Sequence, residues 1–262
     1  MKKYIIITFS IFLFSCSTVL LTGRKQYTII PASQMLLLSN DSYQQVLSKN
    51  ELSNNGHYKN MVKDVGNKIS DAVEEYMIEH GQEERIKNFS WEYRVIQSEQ
   101  MNAWCMPGGK IAFYEGIMDV CKDQNGVAVV MAHEVAHAIA RHGNEKMSQQ
   151  LTIQLGGMAL SQALEEETET TQNLALAAFG VGAQVGIMLP YSRTHEEEAD
   201  ELGLYFMAMA GYDPKGATEF WQRMQEQGGE KAPEFLSTHP HANTRINNLN
   251  KHMDKALEYY NK

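Results

Sequence analysis

His133-Glu134-Val135-Ala136-His137 restricts this chain more than any other stretch. On a helix, residues four apart lie on one face, so both imidazoles can point at a single metal ion. Glu134 then projects beside them, where a carboxylate can take a proton from a water at that metal. The flanking residues, Gly126 to Ala132 before and Ala138 to His142 after, are mostly apolar and rich in Ala. Such flanks describe a buried helix. The pattern therefore reads as a zinc site with its own general base. The competing reading is a core helix with two satisfied histidines.

Two histidines do not complete a catalytic zinc site, which takes three protein ligands and leaves a position open. The strongest source of the third is Ser192-Arg193-Thr194-His195-Glu196-Glu197-Glu198-Ala199-Asp200. Glu196 and Asp200 are four apart and share a helical face, whereas Glu197 points elsewhere. With Glu196 on the metal, Asp200 one turn on can accept the free ring N–H of a ligating histidine and fix its tautomer. His195 is a rival donor, but it turns away from that face. Without the metal, the same run reads as a solvated, charged helix.

The beginning of the chain carries a different signal. Met1-Lys2-Lys3, an apolar run from Tyr4 to Phe14, then Ser15-Cys16 describe a secretory leader. The run is too short to cross a bilayer comfortably. Leu13-Phe14-Ser15-Cys16 resembles a bacterial lipoprotein box, which makes Cys16 the expected lipidation site; an ordinary cleaved leader and an uncleaved anchor are the alternatives. Ser17 and Thr18 follow Cys16, with no acidic residue there, which by resemblance to lipoprotein sorting favours the outer membrane, facing the periplasm. The expected organisation is a signal peptide over 1–15, a lipidated tether over 16–40 and one domain over 41–262. A net charge of −9 argues against a nucleic-acid partner. Cys105 and Cys121 are compatible either with a disulfide or with two free thiols.

Periodicity predicts a helix from Tyr58 to His80, closed by Gly81, and a strand from Phe89 to Ile96. Two short strands follow between Asn102 and Tyr114, joined by a turn at Pro107-Gly108-Gly109, then a helical turn over Glu115–Val120. The motif helix is expected from Asn125, as its cap, to about His142. Helices are expected over Met147–Glu167, Leu174–Leu189, Arg193–Ala210 (ended by Gly211) and Ala242–Tyr260, with a further one opened by Asp213-Pro214. Residues 17–40 show little periodicity and read as an extended lead-in. From Leu174 to Leu189 only Gln184 is polar. A buried helix, or a flap over a cleft, is the expected reading there, with a membrane span as the alternative.

H-E-x-x-H followed by S-R-x-x-E-x-E-A-D resembles the metallopeptidase family that includes the CAAX prenyl proteases, HtpX and the periplasmic proteins BepA and LoiP. The resemblance runs from about Trp91 to Arg245. It implies an α+β, mainly helical, zincin-like domain with a small three-stranded sheet edging the cleft. It also implies one Zn2+ per chain, held by His133, His137 and Glu196, with Glu134 as base and Asp200 in support. Asn102-Ala103-Trp104, running on through Pro107-Gly108-Gly109 to Phe113, is similar to the family's substrate-binding edge strand, which adds an extended peptide to the sheet. His239 and Arg245 match a pair near the metal that can stabilise an oxyanion; in the BepA type the histidine instead closes onto the zinc. The Gly-rich stretch from Leu174 sits where family members carry a plug. The implied function is a zinc endopeptidase of the bacterial envelope that degrades misfolded or misassembled envelope proteins, bound as extended peptides. The implied alternative is a chaperone or assembly factor for outer-membrane proteins, working with the assembly machinery and a self-inhibited zinc site.

Overall fold

The computed structural model describes residues 16–227, Phe235, His239 and 242–262. The expected leader over 1–15 lies outside them. In chain order the first elements are β1 (Cys16–Thr18), β2 (Lys25–Tyr27), α1 (Ala32–Lys49), α2 (Gly56–Glu79), β3 (Glu92–Ile96), β4 (Ala103–Met106) and β5 (Lys110–Tyr114). There follow α3 (Glu115–Cys121), α4 (Gln124–Ile139), α5 (His142–Ala163), α6 (Glu169–Ala183), α7 (Leu189–Met209), α8 (Gly216–Glu226) and α9 (Ala242–Tyr260), with a π-helical turn over Gln184–Met188. This is the mainly helical α+β architecture expected. The chain divides into two compact units. Of the described residues, one unit takes those from 16 to Met35 together with Arg141–Thr194, the other those of Leu36–Ala140 and of His195–Lys262.

The second unit is organised around α4. Its helix begins two residues before the sequence signal suggested, because Asp123 is the cap and accepts a hydrogen bond from the Gly126 N–H. Asn125 instead donates its side-chain amide to the Asp213 carbonyl. Nearly every residue of α4 is buried, as its apolar flanks require. It packs on α2, α3, α8 and β4. α2 contributes the stripe Met61, Val62, Val65, Ile69, Val73 and Met77, and Asn55 caps it by accepting from the His57 and Tyr58 N–H groups. Gly81, at φ +65°, ends that helix where expected.

The sheet of this unit has the order β3-β5-β4, with β3 parallel to β5 and β4 antiparallel to it. Gly108 and Gly109 make the β4–β5 turn at φ +91° and +82°, conformations that side-chain-bearing residues rarely adopt. β4 therefore forms one edge. The strand expected from Phe89 starts only at Glu92. α7 is longer at its N-terminus than expected, and α8 starts at Gly216, after Asp213 has accepted the Lys215 N–H. Cys105 and Cys121 are both free thiols, and Cys121 is buried.

Residues 17–40 are not an extended lead-in throughout. β1 and β2 pair as a hairpin, and α1 begins at Ala32. Arg24 forms an ion pair at 2.8 Å with Glu145 of α5, and the Tyr27 N–H donates to the same carboxylate. Strands of three residues and a run such as Met35-Leu36-Leu37-Leu38 leave little periodic signature. α5 and α6 pack as a helical hairpin, with Phe179 against Gly156 and Gly157. The core-helix reading of Leu174–Leu189 is overturned, since only Ala183 of that stretch is buried. Hydrophobicity alone does not distinguish a helix that is covered from one that is bare.

Candidate active site

α4 presents His133 and His137 one turn apart, and α7 brings Glu196 and Asp200 against them. Gly203 makes that approach feasible: a Cβ there would lie 3.0 Å from the His133 Cα and backbone N. The ring nitrogens His133 Nε2 and His137 Nε2 are 3.1 Å apart. Glu196 completes the triangle, with Oε2 3.5 Å from His133 Nε2 and Oε1 3.5 Å from His137 Nε2. Donors bonded to one tetrahedral zinc at about 2.0–2.1 Å sit about 3.4 Å from each other. The triangle has those dimensions.

His239 supplies a fourth donor. Its Nδ1 lies 3.2 Å from His133 Nε2 and 3.0 Å from Glu196 Oε2, so it stands where a fourth ligand belongs. The donor atoms of His133, His137, Glu196 and His239 all fall within 4.8 Å of one another. His195, the rival donor, is buried but is not one of this group, and Glu197 is exposed.

Glu134 provides an independent sign that the cluster is built for something it must receive. Its Oε1 is buried and accepts no hydrogen bond, and His239 Nε2 approaches it only to 3.4 Å. An orphaned carboxylate oxygen costs on the order of 1–3 kcal/mol or more, which a fold tolerates where a ligand or water is to be bound. Together, the imidazole and carboxylate donors and this free oxygen fit a zinc centre with a base beside it.

Behind the donors lies a second set of charges. Asp200 Oδ1 is 3.2 Å from His133 Nδ1, so the tautomer that donates to Asp200 leaves Nε2 free for a metal. Arg245 is buried and its donors are committed. Nε donates to Asp200 Oδ2 at 2.8 Å, Nη1 to Glu196 Oε2 at 3.2 Å, and Nη2 to Asp200 Oδ1, with His133 Nδ1 2.9 Å from Nη2. This differs from an oxyanion-stabilising Arg245, because the guanidinium is spent on carboxylates. Its Cζ sits 3.6 Å from the Trp221 ring centroid. Trp221 in turn stacks on Phe235, and Phe235 on His239, at ring separations of 5.7 Å and 4.7 Å. Sequence reasoning missed both aromatics: helical spacing marks Trp221 as buried, but nothing in the spacing says what lies on its face.

The charges shape one another. Burial and the Arg245 charge push the His133 pKa down, but hydrogen bonds to Asp200 and Glu196 outweigh them and lift it to about 8. Burial also acts to raise Glu196, yet the facing His137 and His239 hold it well below the usual carboxylate range. For Glu134 burial prevails and its pKa is raised, the direction a general base near neutral pH requires.

Comparison with known proteins extends the likeness. The chain is 35% identical over 180 residues to the mitochondrial metalloendopeptidase OMA1 of Schizosaccharomyces pombe, covering 65% of this chain and 49% of that protein. Against OMA1 of Saccharomyces cerevisiae it is 34% identical over 183 residues, 67% of this chain and 50% of the relative. The beta-barrel assembly-enhancing protease of Yersinia pestis is 28% identical over 163 residues, 59% and 32% of the two chains. The chain thus spans about half the length of the yeast relatives it matches. Residues 65–253, which include every side chain of the cluster, match the model of peptidase family M48, and the chain belongs to that family.

Proposed function

We propose that this chain is a zinc-dependent endopeptidase of the bacterial cell envelope that hydrolyses misfolded or misassembled envelope proteins, tethered through a lipidated Cys16. The observation that carries the hydrolytic reading is the triangle of His133, His137 and Glu196 donors beside a buried Glu134 oxygen that accepts no hydrogen bond. Bound by the three donors, zinc supplies Lewis acidity, polarising a peptide carbonyl and acidifying a water. Glu134 takes the proton as the water oxygen attacks the carbonyl carbon, then delivers it to the amine nitrogen as the C–N bond breaks. Asp200 holds the His133 ring, and Arg245 holds Asp200 and Glu196; both are positioning residues in this reading. β4, with no further strand paired to it among the described residues, offers Asn102, Ala103 and Trp104 as the start of an edge to which an extended peptide adds by backbone hydrogen bonds.

Metal analysis of the purified chain tests the ligand set. One zinc per wild-type chain is expected, with both metal and casein cleavage lost on chelation and in His133→Ala and Glu196→Ala. Wild-type metal content in Glu196→Ala would mean that the third ligand is a different carboxylate.

His239 favours a closed resting state, because its Nδ1 stands at the corner that the reacting water needs. His239→Ala is therefore expected to raise basal casein cleavage several-fold. A drop of about tenfold or more would instead assign His239 to oxyanion stabilisation.

A further inference from the structure

The helix that follows the α5–α6 turn contradicts the solvent around it. Glu169–Met209 is one continuous helical run, long and apolar enough to cross a membrane, and almost none of its most apolar stretch is buried. No formal charge occurs from Thr170 to Ser192. At 1.5 Å per residue that stretch extends roughly 34 Å, close to the ~30 Å of bilayer hydrocarbon. A helix apolar on every side belongs in a protein core or in lipid. A core is ruled out by exposure: Leu174 is 71% exposed, Val181 64% and Val185 60%, while Ile187, on the opposite side of the helix, is exposed too. α5 beside it exposes Leu155 and Met158 but also Gln150, Gln154 and Gln162, so its surface is mixed where that of the following helix is apolar.

We propose that α6 and the π-helical turn after it are embedded in the hydrocarbon of a lipid bilayer. The chemistry at the ends of the charge-free stretch agrees. Glu165, Glu166, Glu167 and Glu169 cluster at one end and Tyr191 with Arg193 stands at the other, so charge is placed where headgroups and water begin. A single protein partner covering the stripe of Leu174, Val181 and Val185 would leave Ile187, on the other side in the π-helical turn, bare, whereas lipid covers both sides. Gly180, Gly182 and Gly186 have nothing within 4 Å of a Cβ position, so no packing among the described residues covers that surface. This membrane contact is separate from any acyl chain on Cys16 and does not rest on the peptidase reading.

Flotation with vesicles of phosphatidylethanolamine and phosphatidylglycerol tests it. The mature chain from residue 16, carrying Cys16→Ser, removes leader and acyl chain from the measurement. It is expected to float with the vesicles, and Val181→Glu with Val185→Glu to reduce the floated fraction about tenfold or more. The double variant is expected to keep its circular-dichroism melting curve, which separates lost lipid contact from lost folding. Three results would overturn the proposal: a Cys16→Ser chain that stays in the aqueous fraction, a double variant that floats as well, or a lipid-free dimer abolished by the same two substitutions. Flotation needs neither metal nor turnover, so its failure would leave the peptidase reading standing.

Discussion

Glu134→Gln is expected to abolish cleavage of an unfolded protein such as casein while one zinc per chain remains bound. The amide keeps the size and shape of the carboxylate, and Glu134 is not among the four clustered donors, so metal content has no reason to change. What disappears is the only role the Glu134 Oε1 geometry leaves for it: a buried oxygen with no hydrogen bond to give up, ready to accept a proton. Loss of a general acid–base group costs about 10²- to 10⁴-fold in rate, so residual activity should lie near the detection limit of a casein assay. Retained cleavage by protein free of contaminating protease would reject the mechanism. The same variant separates the two biological readings. If Glu134→Gln restores envelope integrity in a deletion strain as fully as wild type does, binding rather than hydrolysis is the working function; no rescue assigns it to proteolysis.

The part of the site carried by local spacing was legible in the sequence. His133 and His137 share a face because helices repeat every 3.6 residues, and Glu196 and Asp200 do so for the same reason. The family resemblance rested on those two segments and is borne out by the match over residues 65–253. What spacing does not carry is which side of a residue meets which partner. Arg245 could be placed near the metal, but not on the far side of Asp200 and Glu196, because that depends on how α9 packs beside α7. Trp221 and Phe235 were invisible for a related reason: aromatic residues in a helix or a loop look like ordinary core until the ring beneath Arg245 is seen. The cap of α4 failed differently. Asp123 and Asn125 are both good caps, and Asn125 was claimed by Asp213, far along the chain. For Leu174–Leu189 a buried helix, a flap and a membrane span read alike in the sequence, because hydropathy reports a preference for apolar surroundings, not whether the chain itself provides them; the exposure of the stretch removes the first of these.

Arg245→Ala is expected to be the most destabilising single change near the cluster, costing about 3–5 kcal/mol, the usual consequence of removing one partner from a buried ionic network. The guanidinium is 2% exposed and is the cation that faces both Asp200 and Glu196. Without it, two buried carboxylates oppose each other across the back of His133, and Trp221 loses the group stacked on its face. For a chain of this size the loss corresponds to a melting temperature lower by roughly 10 °C. Bound zinc partly replaces the missing charge at Glu196, so the deficit should be larger after chelation than before it. Arg245→Lys keeps the charge but neither the planar fork nor the stacking, and should recover only part of the stability. An oxyanion-stabilising arginine would behave otherwise: Arg245→Ala would then lower the rate with the melting temperature and zinc affinity unchanged, and that result would return Arg245 to the reaction itself. The expected order, wild type above Arg245→Lys above Arg245→Ala in both melting temperature and zinc affinity, follows from a guanidinium that holds the carboxylates rather than the substrate.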